Sequence, residues 1–190
     1  MKKLFLLLIL TLNSLLLSAQ SHITFKGIPV DGHVSMFVEK LEKKGYKLRE
    51  KLNSGYVMSG VFTGKEATIY VLFSPKTETV WKVGVTFSQD GNDWSTIKNN
   101  YLEYKQYYIN KYGEPHDDFN FFSSPYKEND GNEIQAIEED KCHYSCYFEL
   151  EEGSIAINIS SYKNITISYE DAINLKKMEL EKSSIIYDDI

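Results

Sequence analysis

The stretch A-T-I-Y-V-L-F-S-P-K-T-E-T-V-W-K-V-G-V-T-F, from Ala67 to Phe87, decides the fold of this chain. Apolar residues occupy every second position in two runs, Ala67, Ile69, Val71 and Phe73 in the first, and Trp81, Val83, Val85 and Phe87 in the second. A period of two turns one face of a strand to the core and the other to solvent. The link from Ser74 to Glu78 is short, so the sequence predicts an antiparallel hairpin.

A helix and a further strand are predicted before this hairpin. Helical spacing is found at Val34, Phe37, Val38 and Leu41. We expect Asp31 to cap the helix, because its carboxylate can accept hydrogen bonds from the free N–H groups of the first turn. Gly45 suits the left-handed residue that ends a helix. The β-branched and aromatic residues of Tyr56–Thr63 predict a strand.

The same order, a helix and then strands, recurs in the second half of the chain. Asp93 is the predicted N-cap, and Gly113-Glu114-Pro115 is the predicted stop. The predicted core face of this helix consists of Trp94, Ile97, Tyr101, Tyr104 and Tyr108. One strand, Phe119–Phe122, is predicted before a polar loop over 123–132. Three more are predicted after it, Tyr144–Leu150, Ile155–Ile159 and Ile165–Tyr169.

These patterns predict one α+β domain over residues 20–190. It has two half-repeats, about 27–88 and 93–169, each a helix followed by antiparallel strands, with the helices packed on one face of the sheet. A C-terminal helical tail over 171–190 is predicted to begin at a cap, Asp171. Its apolar face is weak, so we expect a partly detached helix with a loose end from Ser183 onward.

The first nineteen residues have the layout of a secretory signal peptide. Lys2 and Lys3 precede an apolar run over 4–17 that Asn13 and Ser14 interrupt, and Ser18-Ala19 provides small residues for cleavage. The run is short for a membrane span and no basic stop-transfer flank follows it. The sequence therefore predicts a protein secreted to the periplasm or the exterior, with no membrane span after cleavage.

The charge of the chain argues against nucleic acid as a partner. Of 21 basic residues, Lys2 and Lys3 belong to the predicted signal, which leaves 19 − 27 = −8 for the mature chain. An acidic chain without a basic run is a poor match for phosphate backbones.

Both cysteines lie in K-C-H-Y-S-C-Y-F-E-L, Lys141 to Leu150. On an uninterrupted strand, Cys142 and Cys146 share a face about 13 Å apart, whereas a disulfide needs Cα atoms roughly 4.4–6.8 Å apart. A turn at Lys141–Ser145 would allow a disulfide, which an exported protein often forms. A zinc site needs three or four ligands, and His143 would point away from both thiols. We interpret the cysteines as buried core groups.

The sequence lacks the common calcium-binding, catalytic and nucleotide-binding motifs. The acidic turns around Gly91 and Gly131 lack carboxylates at the first and last positions of a calcium loop. The motifs G-x-S-x-G, H-E-x-x-H, G-x-x-x-x-G-K-[ST] and G-x-G-x-x-G are absent. The four histidines, His22, His33, His116 and His143, are scattered. The sequence thus assigns no catalytic residue, metal or cofactor and gives no reason to name an enzyme.

One tyrosine of the second helix is a candidate contact for a partner. Tyr101, Tyr104 and Tyr108 follow the predicted core face, but Tyr107 falls off it. A tyrosine offers wide contact area and a polar tip, so an exposed Tyr107 could bind a sugar or a protein.

Three motifs carry a resemblance to small secreted bacterial proteins of unknown function. They are G-I-P-V-D-G (Gly27–Gly32), K-Y-G-E-P (Lys111–Pro115) and I-S-Y-E-D-A-I-N (Ile167–Asn174), with a terminal D-D-I. The order of elements is similar to the β-lactamase-inhibitor-protein-like arrangement, which implies a fold and transfers no inhibitory residue.

The sequence therefore favours a non-enzymatic secreted module that binds a protein or a surface polymer such as a polysaccharide. A hydrolase with an unfamiliar site and a structural component of the envelope are the alternatives. A deep pocket with converging acids or histidines would favour the hydrolase, and an exposed aromatic patch would favour the binding module.

Overall fold

A computed structural model describes residues 21–87 and 93–189. The predicted signal peptide and the acidic turn around Gly91 lie outside these residues. The strands are β1 (Thr24–Phe25), β2 (Ile28–Pro29), β3 (Lys47–Leu52), β4 (Gly55–Phe62), β5 (Lys65–Phe73), β6 (Val80–Phe87), β7 (Asp117–Phe122), β8 (Cys142–Leu150), β9 (Gly153–Ile159) and β10 (Ile165–Asp171). The helices are α1 (Val34–Glu42), α2 (Trp94–Tyr112), α3 (Glu133–Glu138) and α4 (Ala172–Asp189).

Eight strands form one antiparallel sheet, in the order β3-β4-β5-β6-β10-β9-β8-β7. The two halves of the chain meet where β6 pairs with β10. The strands β1 and β2 form a separate hairpin. The predicted α+β class with antiparallel strands is confirmed.

The register of the sheet places one row of apolar side chains on the same face of six strands. The row contains Met58, Ile69, Val85, Ile167, Ile157 and Cys146, all buried. The side chains next along each strand point the other way and are only half-buried or exposed, such as Thr68, Thr86 and Thr166. Burial of the first face drives the fold, because removing apolar surface from water is the main favourable contribution.

Helices α1 and α2 cover this face with the side chains that the sequence predicts. Helix α1 buries Val34, Phe37, Val38 and Leu41 and contacts β3 and β5. Helix α2 buries Ile97, Tyr101, Tyr104 and Tyr108 and contacts β8, β9 and β10. Trp94 is half-buried and packs against Phe122 and Tyr144.

One of the predicted helix caps is wrong. The N-cap of α1 is His33, whose Nδ1 accepts from the Ser35 backbone N–H at 3.3 Å. Asp31 lies too far before the helix and accepts instead from the Asn174 side chain at 2.9 Å. Asp93 caps α2 as predicted, with its carboxylate 2.9 Å from the Thr96 nitrogen.

Besides the short strands β1 and β2, an edge strand and a short helix were not predicted, and both have weak sequence patterns. The edge strand β3 has the sequence K-L-R-E-K-L, and most of its side chains are exposed. Its pattern therefore lacks the apolar alternation that marks a half-buried strand. Helix α3 spans only six residues, too few to show a helical period.

The C-terminal helix is better anchored than predicted. It continues past Ser183 to Asp189, so the expected loose end is wrong. Asn174 and Met178 are buried, and the helix contacts β6, β9 and β10. The expected detachment is therefore also wrong. Asn174 is polar, so its anchoring contacts leave no apolar pattern in the sequence. Within residues 21–87 and 93–189, no helix is both long and apolar enough to cross a membrane.

Candidate functional site

A cavity of about 330 Å³ opens at one end of the molecule. It lies between the β1–β2 turn, the β4–β5 turn, the C-terminal part of α2 and strand β10. Its lining is largely aromatic and includes Thr24, Lys26, Phe62, Thr63, Tyr107, Tyr108, Lys111, Tyr112 and Tyr169. A volume of this size is in the range of small-molecule sites.

The two hairpin turns at the cavity have the same unusual backbone. Lys26 and Gly27 have φ of 54° and 73°, and Thr63 and Gly64 have φ of 51° and 83°. Two successive positive φ angles define the turn that matches the twist of a two-residue hairpin. Only glycine adopts this conformation freely, and for other residues it costs about 1–2 kcal/mol. In both turns the strained residue, Lys26 or Thr63, lines the cavity.

Aromatic packing fixes the β1–β2 hairpin beneath the cavity. Phe25 is fully buried, with its ring centroid 5.4 Å from that of Phe62 and 5.3 Å from that of Tyr169. Phe62 therefore contacts the core on one side and the cavity on the other.

Two buried phenols form the floor of the cavity. The hydroxyls of Tyr108 and Tyr169 share a hydrogen bond, and both side chains are nearly inaccessible to solvent. Burial raises the pKa of both phenols above the ordinary tyrosine value. They therefore remain neutral donors and acceptors throughout the physiological range.

Helix α2 contributes the rim of the cavity. Tyr107 is 51% exposed, as its position off the core face predicts, and its hydroxyl donates to the Glu103 carboxylate. That hydrogen bond raises the pKa of Tyr107. One turn further on, the Lys111 Nζ lies 4.7 Å from the centroid of the Tyr112 ring.

A smaller cavity of about 230 Å³ adjoins the first and shares Thr24, Lys111 and Tyr112 with it. His22 and Glu152 lie in its wall. We call the two cavities together the tyrosine groove.

A buried polar cluster holds the wall of the second cavity. The fully buried Asp171 carboxylate accepts from the Ile23 backbone N–H at 3.1 Å and from the Asn174 backbone N–H at 2.9 Å. The second bond makes Asp171 the cap of α4, as predicted. The His22 Nδ1 lies 3.0 Å from the same carboxylate, and its Nε2 lies 3.6 Å from Asp31. These contacts join the N-terminal segment to the last strand.

No histidine or carboxylate side chain lines the first cavity in the described part of the chain. Its lining residues in the described part of the chain are aromatic, basic, hydroxyl-bearing or glycine. His22, in the second cavity, is already flanked by Asp171 and Asp31.

The other three histidines lie outside the tyrosine groove. His33 lies near Glu78, His116 near Asp117, and His143 hydrogen-bonds Ser123. Among residues 21–87 and 93–189, no three His, Cys, Asp or Glu side chains cluster as metal ligands would.

Both cysteines are free and buried, as their interpretation as core groups predicts. Strand β8 runs from Cys142 without interruption, so the turn that a disulfide would need does not form. Burial raises the pKa of Cys142 to about 12 and also raises that of Cys146. Both thiols are therefore protonated and unreactive at neutral pH.

Sequence reasoning found Tyr107 but missed its neighbours Lys26, Lys111 and Tyr169. The available signal was the Lys26-Gly27 pair between short apolar runs, which is typical of a two-residue hairpin turn. Nothing in the sequence places that turn beside α2.

No family model, curated protein or solved structure matches this chain. The resemblance to small secreted bacterial proteins therefore stays a prediction.

Proposed function

We propose that this is a secreted, non-enzymatic module that binds a surface polysaccharide in the tyrosine groove. The observation that carries the proposal is an aromatic cavity, about 330 Å³ in volume, whose described lining offers rings, hydroxyls and two lysines but no histidine or carboxylate. The proposal requires export, which the sequence of residues 1–19 predicts.

The lining suits sugars in two ways. The half-exposed ring of Tyr107 offers an apolar surface on which the C–H side of a sugar ring can pack. The hydroxyls of the exposed Thr24 and Thr63 can exchange hydrogen bonds with sugar hydroxyls. An open groove, made of two adjoining cavities, suits a polymer better than a closed pocket would.

A protein partner is the second candidate, and an edge of the sheet favours it. Strand β7 pairs only with β8 in the described chain. Next to its free edge, Phe119, Phe121 and Tyr147 are all exposed, and their rings contact one another on one face. An exposed edge with such a patch is where an extended peptide can add as a further strand.

Calorimetric titration of the exported protein with a soluble neutral glucan and with polygalacturonate tests the proposal. Binding to either polymer without release of reducing ends is the expected result. Tyr107→Ala and Tyr112→Ala should each weaken binding about tenfold. Tyr162→Ala, a matched change at a tyrosine that is 82% exposed outside the groove, should not.

Three outcomes would contradict the proposal. Cleavage of a polymer would make the protein a hydrolase. Binding that Phe121→Ser abolishes and Tyr107→Ala spares would move recognition to β7. A mass showing that residues 1–19 remain on the exported protein would overturn the predicted cleavage.

A further inference from the structure

Two lysines line the first cavity and a third follows an adjacent turn, and none of the three forms a salt bridge among the described residues. Lys26 and Lys111 line it, and Lys65 follows the β4–β5 turn. Among residues 21–87 and 93–189, lysine salt bridges instead involve Lys43, Lys76, Lys82, Lys98, Lys105 and Lys163. The chain carries a net charge of −6, whereas the described lining of the first cavity carries two ammonium groups and no carboxylate.

Aromatic rings position these ammonium groups. The Nζ atoms of Lys26, Lys65 and Lys111 lie 5.7, 5.6 and 4.7 Å from the ring centroids of Phe62, Tyr104 and Tyr112. A cation above a ring keeps its N–H donors available. The cavity therefore presents fixed positive charge beside apolar surface.

The backbone of Lys26 adds a second, independent observation. Its φ of 54° would suit asparagine or glycine better. Strained residues persist where the surrounding structure holds them, and they cluster at functional sites.

Acidic groups nearby limit where an anion can bind. Glu103 accepts from Tyr107 at the rim, and Glu152 lies at the far end, in the second cavity. The favourable end for a negative group is therefore the one beside Phe62. The net negative charge of the remaining surface would repel a polyanion elsewhere.

Resting on the proposed function, we infer that the polymer carries carboxylates, as a uronic-acid polysaccharide does. Lys26 and Lys111 bind its carboxylates while one of its sugar rings packs on the half-exposed Tyr107.

The test compares polygalacturonate with the same polymer fully methyl-esterified, which keeps the backbone and removes the charge. The acid form should bind at least about tenfold more tightly, and raising the salt concentration should weaken it. Dextran sulfate, a polyanion without carboxylates, should bind more weakly than polygalacturonate.

The decisive variant is Lys26→Asn. It removes the charge and supplies the residue that the turn prefers, so it should weaken polygalacturonate binding about tenfold and raise the thermal midpoint. Lys111→Gln should weaken binding similarly. The matched control is Lys51→Gln, which removes an ammonium 5.3 Å from the Tyr56 ring on β3, outside the groove.

The outcomes separate the two claims. Equal binding of acid and ester would overturn the inference and leave the proposed function intact. Binding of the neutral glucan but of neither the acid nor the ester form would overturn the inference alone, and binding of none of the three would overturn both. Tighter binding of dextran sulfate, or an equal effect of Lys51→Gln, would show unspecific attraction of polyanions and overturn the inference.

Discussion

Helices α1 and α2 occupy equivalent places in the two halves of the molecule but bury different chemistry. The side chains that α1 buries, Val34, Phe37, Val38 and Leu41, are all hydrocarbons. Most of those that α2 buries are tyrosines. A hydrocarbon needs only close packing, whereas each buried phenol also needs a hydrogen-bond partner.

The three buried tyrosines of α2 meet this need to different degrees. The Tyr108 hydroxyl bonds Tyr169, and the Tyr104 hydroxyl accepts from Thr63 at 3.5 Å. The Tyr101 hydroxyl has no hydrogen-bond partner among the described residues. Burial is the main cause of the raised pKa of Tyr101, and the nearby Cys146 thiol adds to it. The thiol does not meet hydrogen-bond geometry with the Tyr101 hydroxyl. The aromatic half thus forms the groove, but one of its buried phenols is left without a hydrogen-bond partner among the described residues.

The largest effect should come from the hydrocarbon half. Leu41→Ala should lower the free energy of unfolding by about 3 kcal/mol, because it leaves a cavity in a rigid core. Urea denaturation measures this. Met36→Ala, at a 60% exposed position of the same helix, should change it by less than about 0.5 kcal/mol. Equal effects of both changes would mean that α1 does not pack on the sheet.

In the aromatic half, Tyr169→Phe should lower the free energy of unfolding by about 1–2 kcal/mol, because it leaves the Tyr108 hydroxyl buried and unpaired. The double variant Tyr108→Phe, Tyr169→Phe removes both groups and should lie closer to the wild type. Additive losses in this cycle would contradict the shared hydrogen bond.

Tyr101→Phe should change the free energy of unfolding in the opposite direction. It removes a buried hydroxyl without a partner, so the free energy of unfolding should rise by about 1 kcal/mol. Urea denaturation beside Tyr169→Phe gives a direct contrast between the two phenols. A loss of stability would reveal a partner for the Tyr101 hydroxyl.

The smallest effect on stability should come from Glu181, which attaches α4 to the β5–β6 turn in the first half of the chain. Burial raises the pKa of the Glu181 carboxyl, but hydrogen bonds from Thr77, the Lys76 backbone and Ser74 outweigh it and lower the pKa to about 2. A folded pKa below the ordinary 4.5 means that Glu181 stabilises the fold above about pH 4.5. That contribution is lost as the pH falls toward 2.

Thermal midpoints measured between pH 6 and 2.5 check this dependence. Glu181→Gln should lose less stability over that range than the wild type does. Identical profiles for both proteins would show that the carboxylate is not hydrogen-bonded to the β5–β6 turn.

The comparison also explains what the sequence could predict. The faces of α1 and α2 and most strands were predictable, because burial imposes a period on apolar residues. Edge strand β3 and the anchoring of α4 were not, because exposed charges and the buried Asn174 leave no such period. Tyr107 could be recognised as lying off the core face. The groove itself depends on where the Lys26 turn meets α2, which is a tertiary contact.

The bond between His22 and Asp171 has a consequence for the order of folding. It joins residues 149 positions apart, so one wall of the groove waits for nearly the whole polypeptide to emerge. Contacts this distant form late and slow the search for the native state. A chain that ends before Asp171 would still contain helices α1 and α2 and most strands. It could not form the wall of the groove that His22 and Asp171 build.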